Sequence, residues 1–321
     1  VIVQLVLASK MSAQPERLEG PVLSRNLSPL YQHLGIPVLR SAQTLNSGSW
    51  TLTSALNIAS HSVRERDNGR SFELDGETTR VDIELGVGLS DKVTLNLNVP
   101  YLGHSGGHLD SVIDGWHAFF GLPDGARDNQ PRDVLRFALG DPAIDDLQEN
   151  ATGLGDLELG LTAQVMSSQT RFLAVSLQHK FSSGDEDRFL GSGVASTAIT
   201  INATARNCGS ETLSCHAQLG LVYLDGSPFV QDTRDFVPYT SLGIAWRFAS
   251  SLALLGQVDY HGVTYRQKPL AANGAPLWGT LALRWRPSRD WVVDAGFAED
   301  LAVGASPDIN FRLGLTYRPQ R

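Results

Sequence analysis

The chain has 321 residues, of which 42% are apolar and 31 are glycine, and its formal net charge is −8 at pH 7. No run reaches the roughly 18 consecutive apolar residues of a membrane-spanning helix, so a helical membrane protein is excluded. The acidic balance offers no basic face to a nucleic acid. The apolar residues are scattered in short alternations, which favours one large β domain over two soluble ones.

Taken from the N-terminus, "VIVQLVLASKMSAQP" reads as the apolar core of a signal peptide with small residues before a cut after Ala13. Residues 1–13 are therefore expected to be a signal-peptide remnant. Residues 14–48 have mixed polarity and no strong period, and form either a periplasmic extension or a plug reaching into a lumen. The plug is favoured because Leu30, Tyr31, Leu34, Ile36, Val38 and Leu39 require burial.

From residue 49 to 321 the chain repeats one unit, about ten residues of period two and then a break. In "RVDIELGVGL", Val81, Ile83, Leu85, Val87 and Leu89 alternate with Asp82, Glu84, Gly86 and Gly88. "WTLTSALNI", "VTLNLNVPY", "DLELGLTAQV" and the later segments up to "INFRLGLTY" behave alike, giving twelve candidate strands. Breaks at 90–92, 167–169, 249–251 and 287–290 are tight. Those at 62–77, 103–152, 182–193, 225–236, 262–275 and 299–307 are long. Short turns at one end, long loops at the other and an even strand count predict an all-β, antiparallel transmembrane barrel of the outer membrane.

The polar face of these strands carries Arg80, Asp82, Glu84, Asp156, Glu158, Gln257, Asp259, Arg284, Arg286, Asp294 and Arg312. A polar lumen accounts for them, and so would the solvated face of a soluble β-sandwich. Aromatic placement separates the two. Trp50, Phe248, Trp285, Trp291 and Tyr317 fall at the short-turn end, and Tyr101, Phe181, Tyr223, Tyr239 and Tyr260 at the long-loop end. Two aromatic belts around an aliphatic band match the two interfaces of a bilayer.

The long loop holds "HSGGHLDSVIDGWHAFFGLPDGARDNQPRD" from residue 104. Leu109, Val112, Ile113, Trp116, Phe119 and Phe120 have helical spacing, so a short amphipathic helix is expected, ended by "GLPDG". Three readings compete for its polar residues. His104, His108, Asp110, Asp114 and His117 could ligate a metal, although they match no established ligand motif. His104, Ser105, His108, Asp110 or His117 could form a hydrolytic constellation. In the third reading Asp110, Asp114, Trp116, His117, Arg127 and Arg132 simply hold the loop in shape as a lid. Further on, Cys208 and Cys215 are close enough to close a turn by a disulfide in an exported protein.

The last strand, "INFRLGLTY", resembles the C-terminal strand of proteins inserted by the outer-membrane barrel-assembly machinery, which that resemblance makes a partner in biogenesis. The run 104–133, with "LDGETTRVD" at 74–82, "GLGDLELG" at 153–160 and "SRNLSPLYQHLGIP" at 24–37, resembles an uncharacterised family of Gram-negative outer-membrane β-barrels, described as a domain of unknown function. The resemblance implies the barrel and its outer-membrane location, and supplies neither reaction nor ligand. "FSSGDEDRFLGSG" at 181–193 is similar to a loop of porin-like proteins of aromatic-degradation pathways.

The function expected is a passive channel or uptake protein for small polar or amphipathic solutes. It would sit in outer-membrane lipid and lipopolysaccharide and need no cofactor or metal. Arg80, Arg284 and Arg312 would face Asp82, Glu84, Asp156 and Glu158 across the lumen and orient the solute. The alternatives are an outer-membrane enzyme acting on lipid or lipopolysaccharide, and a barrel that conducts nothing.

Overall fold

The computed structural model describes residues 18–67, 70–109, 133–139, 145–225, 233–266, 274–302 and 304–319. The signal-peptide remnant lies outside the described residues. So do the expected helix, from its second residue on, and with it Asp110, Asp114, Trp116, His117, Arg127 and Arg132.

In chain order the strands are β1 (Trp50–Asp67), β2 (Arg70–Ser90), β3 (Val93–Ser105), β4 (Arg136–Leu139), β5 (Asp145–Leu147), β6 (Ala151–Leu154), β7 (Glu158–Ser167), β8 (Arg171–Lys180), β9 (Ser196–Arg206), β10 (Leu213–Leu224), β11 (Phe236–Ala249), β12 (Leu252–His261), β13 (Leu277–Trp285), β14 (Trp291–Asp300) and β15 (Ile309–Tyr317). Twelve of them, β1–β3 and β7–β15, pair antiparallel with their neighbours, and β15 returns to β1 from Leu52↔Tyr317 to Ser60↔Ile309. Closure removes both sheet edges, as a bilayer requires.

Period two sets the two faces. Along β2, Asp82 and Arg80 are buried inward while Ile83, Leu85 and Leu89 are exposed. Leu177, Ile199, Ile201, Leu219, Leu242, Leu281 and Leu313 continue this exposed aliphatic band around the barrel. A water-soluble fold would bury that set, so its exposure identifies lipid as the outer solvent. Exposed Trp246, Phe248, Trp285 and Trp291 mark the short-turn end, where the Trp291 and Tyr317 ring centroids lie 4.6 Å apart. Exposed Tyr101, Phe181, Tyr223, Phe236 and Tyr260 mark the long-loop end. The chain is an outer-membrane β-barrel.

Several expectations are corrected. Residues 62–67 and 70–77 are strand rather than loop: β1 and β2 stay paired out to Asp67↔Arg70, past the last partners of β1 on β15 (Ser60) and of β2 on β3 (Glu77). They stand above the rim as a two-stranded extension. β4 pairs with its Phe72–Asp75 edge and β5 pairs with β4, so part of 103–152 is strand rather than loop. β6 runs along β3 in line with β7. Tyr239 belongs to neither belt: it points inward, donates to or accepts from Thr200 Oγ1, and lies across Gly220, where a Cβ would stand 2.3 Å from Tyr239 Cζ. Arg286 is at the short-turn end, bonded to the Ser250 carbonyl rather than facing the lumen. A disulfide joins Cys208, in the turn after β9, to Cys215 in β10.

Candidate functional site: the occupied lumen

Residues 18–49 run inside the barrel as one hairpin-shaped excursion. At the short-turn end, Glu19 lies near Arg206 and Arg247 and accepts from Ser214 Oγ at 3.0 Å. The ascending leg takes its hydrogen bonds from the polar wall: Val22 N–H donates to Gln257 Oε1 (3.1 Å), Ser24 Oγ meets Thr280 Oγ1 (2.8 Å), and Trp278 Nε1 donates to Ser24 Oγ (3.1 Å). The chain reverses through a 3-10 turn at Gln32–Leu34, with Gly35 in the left-handed region at φ 60°. The descending leg bonds Gln178 and Gln218 through the Gly35 and Pro37 carbonyls, and Ala42 N–H donates to Thr204 Oγ1 at 2.9 Å. It regains the short-turn end at Asn46–Ser49 and continues into β1. A segment without regular structure is stable there because wall side chains satisfy its backbone groups.

The tip is apolar. Leu30, Tyr31 and Leu34 pack with Leu102, Phe137, Phe189, Leu190, Val237 and Tyr265 into a cluster that fills the long-loop end. Each leucine so buried contributes about 2 kcal/mol. Tyr31 donates to the Gly274 carbonyl (2.6 Å) and Tyr265 to the Leu30 carbonyl (3.2 Å). Burial pushes both hydroxyls above their ordinary range, so they remain donors.

Below the tip the predicted charged residues assemble into separate groups. Arg25 of the segment grips Glu158 with two bonds (3.0 and 2.7 Å), and Arg80 reaches the same carboxylate at 3.2 Å. Arg80 also holds Asp82, which accepts from Asn98 at 2.8 Å. Arg40 grips Glu84 with two bonds (2.7 and 2.5 Å). Arg284 pairs with Asp294 at 2.6 and 2.9 Å and donates to the Gly20 and Pro21 carbonyls. Among the described residues Arg312 bonds only Asn57 Oδ1, at 3.2 Å. Asp156 is elsewhere: it binds Lys180 Nζ (2.8 Å) and the Ser183, Gly184 and Ser192 N–H groups, and so fixes the 181–194 loop.

Charge rows facing one another across open water were expected. The structure instead neutralises Glu158 and Glu84 through Arg25 and Arg40, which periodicity could not select because their segment has no period, and pairs Asp82, Asp156 and Arg284 within the wall. One legible signal was the inward Gly86–Gly88 pair. A Cβ on Gly88 would stand 2.1 Å from Asn46 O, so the bare backbone is what admits the segment.

Among the described residues, space remains inside the barrel at the short-turn end and below the tip. A cavity of about 250 Å³ opens at the short-turn end between the two legs, lined by Arg40, Glu84, Thr94, Arg206, Arg284, Asp294, Arg312 and Thr316 among others. Around Arg25, Tyr31, Glu158 and His261 the free volume falls to about 40 Å³, room for a water or two.

At the rim, His104 is buried between Thr78 Oγ1 (3.1 Å) and the Phe189 carbonyl (2.9 Å), so both ring nitrogens are engaged. It is not available as a base for Ser105, its neighbour on the opposite strand face. His108 is placed by its backbone N–H on Glu77 rather than by its ring. Among the described residues no group of three or more His, Cys, Asp or Glu side chains is set to hold a metal.

A model of the family described as "Protein of unknown function (DUF3187)" matches residues 1–319. A comparison with curated proteins finds no match. Among solved structures the fold is similar to an outer-membrane channel from Pseudomonas putida F1, with TM-score 0.57 and 13% identity over 86% of this chain and 97% of that one. The NanC porin aligns with TM-score 0.49 and 8% identity (84% and 100% covered). The toluene transporter TodX of P. putida aligns with TM-score 0.42 and 12% identity (85% and 91% covered).

Proposed function

The chain belongs to the DUF3187 family, and on that premise we propose that it is a passive outer-membrane channel for small polar or amphipathic solutes, held shut by residues 18–49 acting as a plug. The observation that carries this reading is how the segment is held. Its middle is attached by hydrogen bonds and ion pairs to a wall that is itself polar, such as Arg40 on Glu84 and Ser24 on Thr280. Water can replace every one of those bonds when the segment leaves, whereas a continuous apolar core would forbid hydration. What remains after withdrawal is a twelve-stranded barrel with a hydrated, charged lumen.

The test is single-channel recording in planar bilayers on the full chain and on a Ser24→Cys/Thr280→Cys variant, whose side-chain oxygens touch in the native chain. Openings in the native protein, abolished when the new pair is oxidised and restored by reductant, are the expected result. A second reading, a barrel that conducts nothing, is favoured by the apolar seal at the long-loop end. Silence in both forms, and after removal of residues 18–45, would select it.

A further inference from the structure

We infer that the 250 Å³ vestibule at the short-turn end is a binding site for a small hydroxylated carboxylate, anchored by Arg312. The inference rests on the channel reading for its physiological meaning and names the class of solute.

The argument begins with charge. Arg312 is only 7% exposed, on the inner face of β15. Its one hydrogen bond among the described residues is from Nη1 to Asn57, its Nε is buried with no acceptor, and the acids that act on it, Asp294 and Asp82, form no ion pair with it among those residues. The acids around it are already committed: Asp294 to Arg284, Glu84 to Arg40, and Glu19 to Arg206 and Arg247. A desolvated guanidinium without a counter-charge is costly, and an anion in the adjacent cavity offsets that cost. Arg206, lining the same cavity six barrel strands away, pairs with Glu19 but leaves its Nη1 without an acceptor among the described residues.

Shape and hydrogen-bonding character narrow the ligand. Two residues toward the mouth from Arg312 the inner face carries Gly314. A Cβ built there would make ordinary contact with Asp294 Cβ (3.5 Å), Arg312 Nη2 (3.6 Å) and Asp294 Oδ2 (3.8 Å), so the missing side chain leaves a methyl-sized gap between the guanidinium and that carboxylate. Beyond it Thr316 and Thr53 present their hydroxyls 3.0 Å apart. A guanidinium Nη2 is a charge-assisted donor to a carboxylate, and hydroxyls suit a polyol tail. A cavity of this size admits a molecule of the size of a sugar acid.

The experiment is isothermal titration calorimetry on the purified full chain in detergent, with gluconate as probe, sorbitol as its uncharged counterpart and inorganic phosphate as a competing anion. Saturable gluconate binding, absent for sorbitol and weaker for phosphate, is expected. Arg312→Gln should weaken gluconate about tenfold or more, the value of a hydrogen-bonded charge, with Arg312→Lys intermediate. Heat-modifiable electrophoresis reports whether each variant is folded; if the Gln variant is not, the Lys variant is read in its place. Equal binding of gluconate and sorbitol, phosphate binding as tight as gluconate, or a folded Arg312 variant with native affinity would each overturn the assignment. Calorimetry needs no conduction. A protein that binds gluconate yet never opens would therefore sink the channel reading alone, and one that opens but ignores gluconate would sink only the site.

Discussion

Replacing Glu84 by Gln isolates the contact that ties the descending leg to the wall. The side chains of Arg40 and Glu84 are 18% and 11% exposed and joined by two short bonds. Gln keeps the size and one acceptor but removes the charge, leaving Arg40 desolvated without a counter-ion while the plug is docked. Stranding one member of a buried pair costs 3–5 kcal/mol, and the lower value, about 3, suits a pair that lines a hydrated cavity. Undocking returns Arg40 to water and relieves the penalty, so the whole cost falls on the docked state. The ratio of open to closed channel should then rise about a hundredfold, at 1.4 kcal/mol per factor of ten. Glu84 holds no other partner among the described residues, so the barrel should stay intact. Single-channel open probability of Glu84→Gln against the native chain is the assay, with heat-modifiable electrophoresis as the fold control. A folded variant whose open probability matches the native value would refute the idea that charge pairing keeps the plug seated.

Leu34→Ala, at a fully buried site in the apical cluster, should cost 2–5 kcal/mol; that too should raise open probability, and a change confined to thermal stability would place the cost in the barrel instead. Gly88→Ala puts a methyl 2.1 Å from Asn46 O where Gly48 N–H donates to the Gly88 carbonyl, so proteolysis between residues 44 and 49 should accelerate in the folded variant. Joint replacement of Cys208 and Cys215 by Ser opens a short loop and should lower unfolding stability by about 2 kcal/mol without altering conductance; altered gating would mean the turn touches the plug.

Period two made the barrel legible, because lipid and lumen impose opposite solvents on alternate residues. The same rule, applied to parity, would have turned Tyr239 inward: it is two residues from inward Ser241 and Val237, and only its place at the loop end suggested a belt. The two-stranded extension at 62–67 and 70–77 was read as a loop because its alternation weakens once the strands leave the bilayer, although the pairing does not. The lumen itself was half legible. Its wall charges follow from alternation, but their partners Arg25 and Arg40 lie 133 and 44 residues away in an aperiodic segment. Glu158 and Glu84 therefore looked available to a solute when the chain had already claimed them.

The excursion of residues 18–49 has both feet on the same side, Glu19 beside Arg247 and Ser49 beside Gly88. A loop anchored this way is topologically a slip-knot: it can be drawn out through the mouth by which it entered, with no chain end passing the outer surface. Insertion and withdrawal thus need no break in the closed hydrogen-bond girdle of the barrel. Any force on the chain ahead of residue 18 would act along the ascending leg, loading its bonds one after another, Gln257 before Thr280 and Glu158. Bonds loaded in series yield one at a time, so a modest pull from the periplasm would suffice where a simultaneous rupture would not.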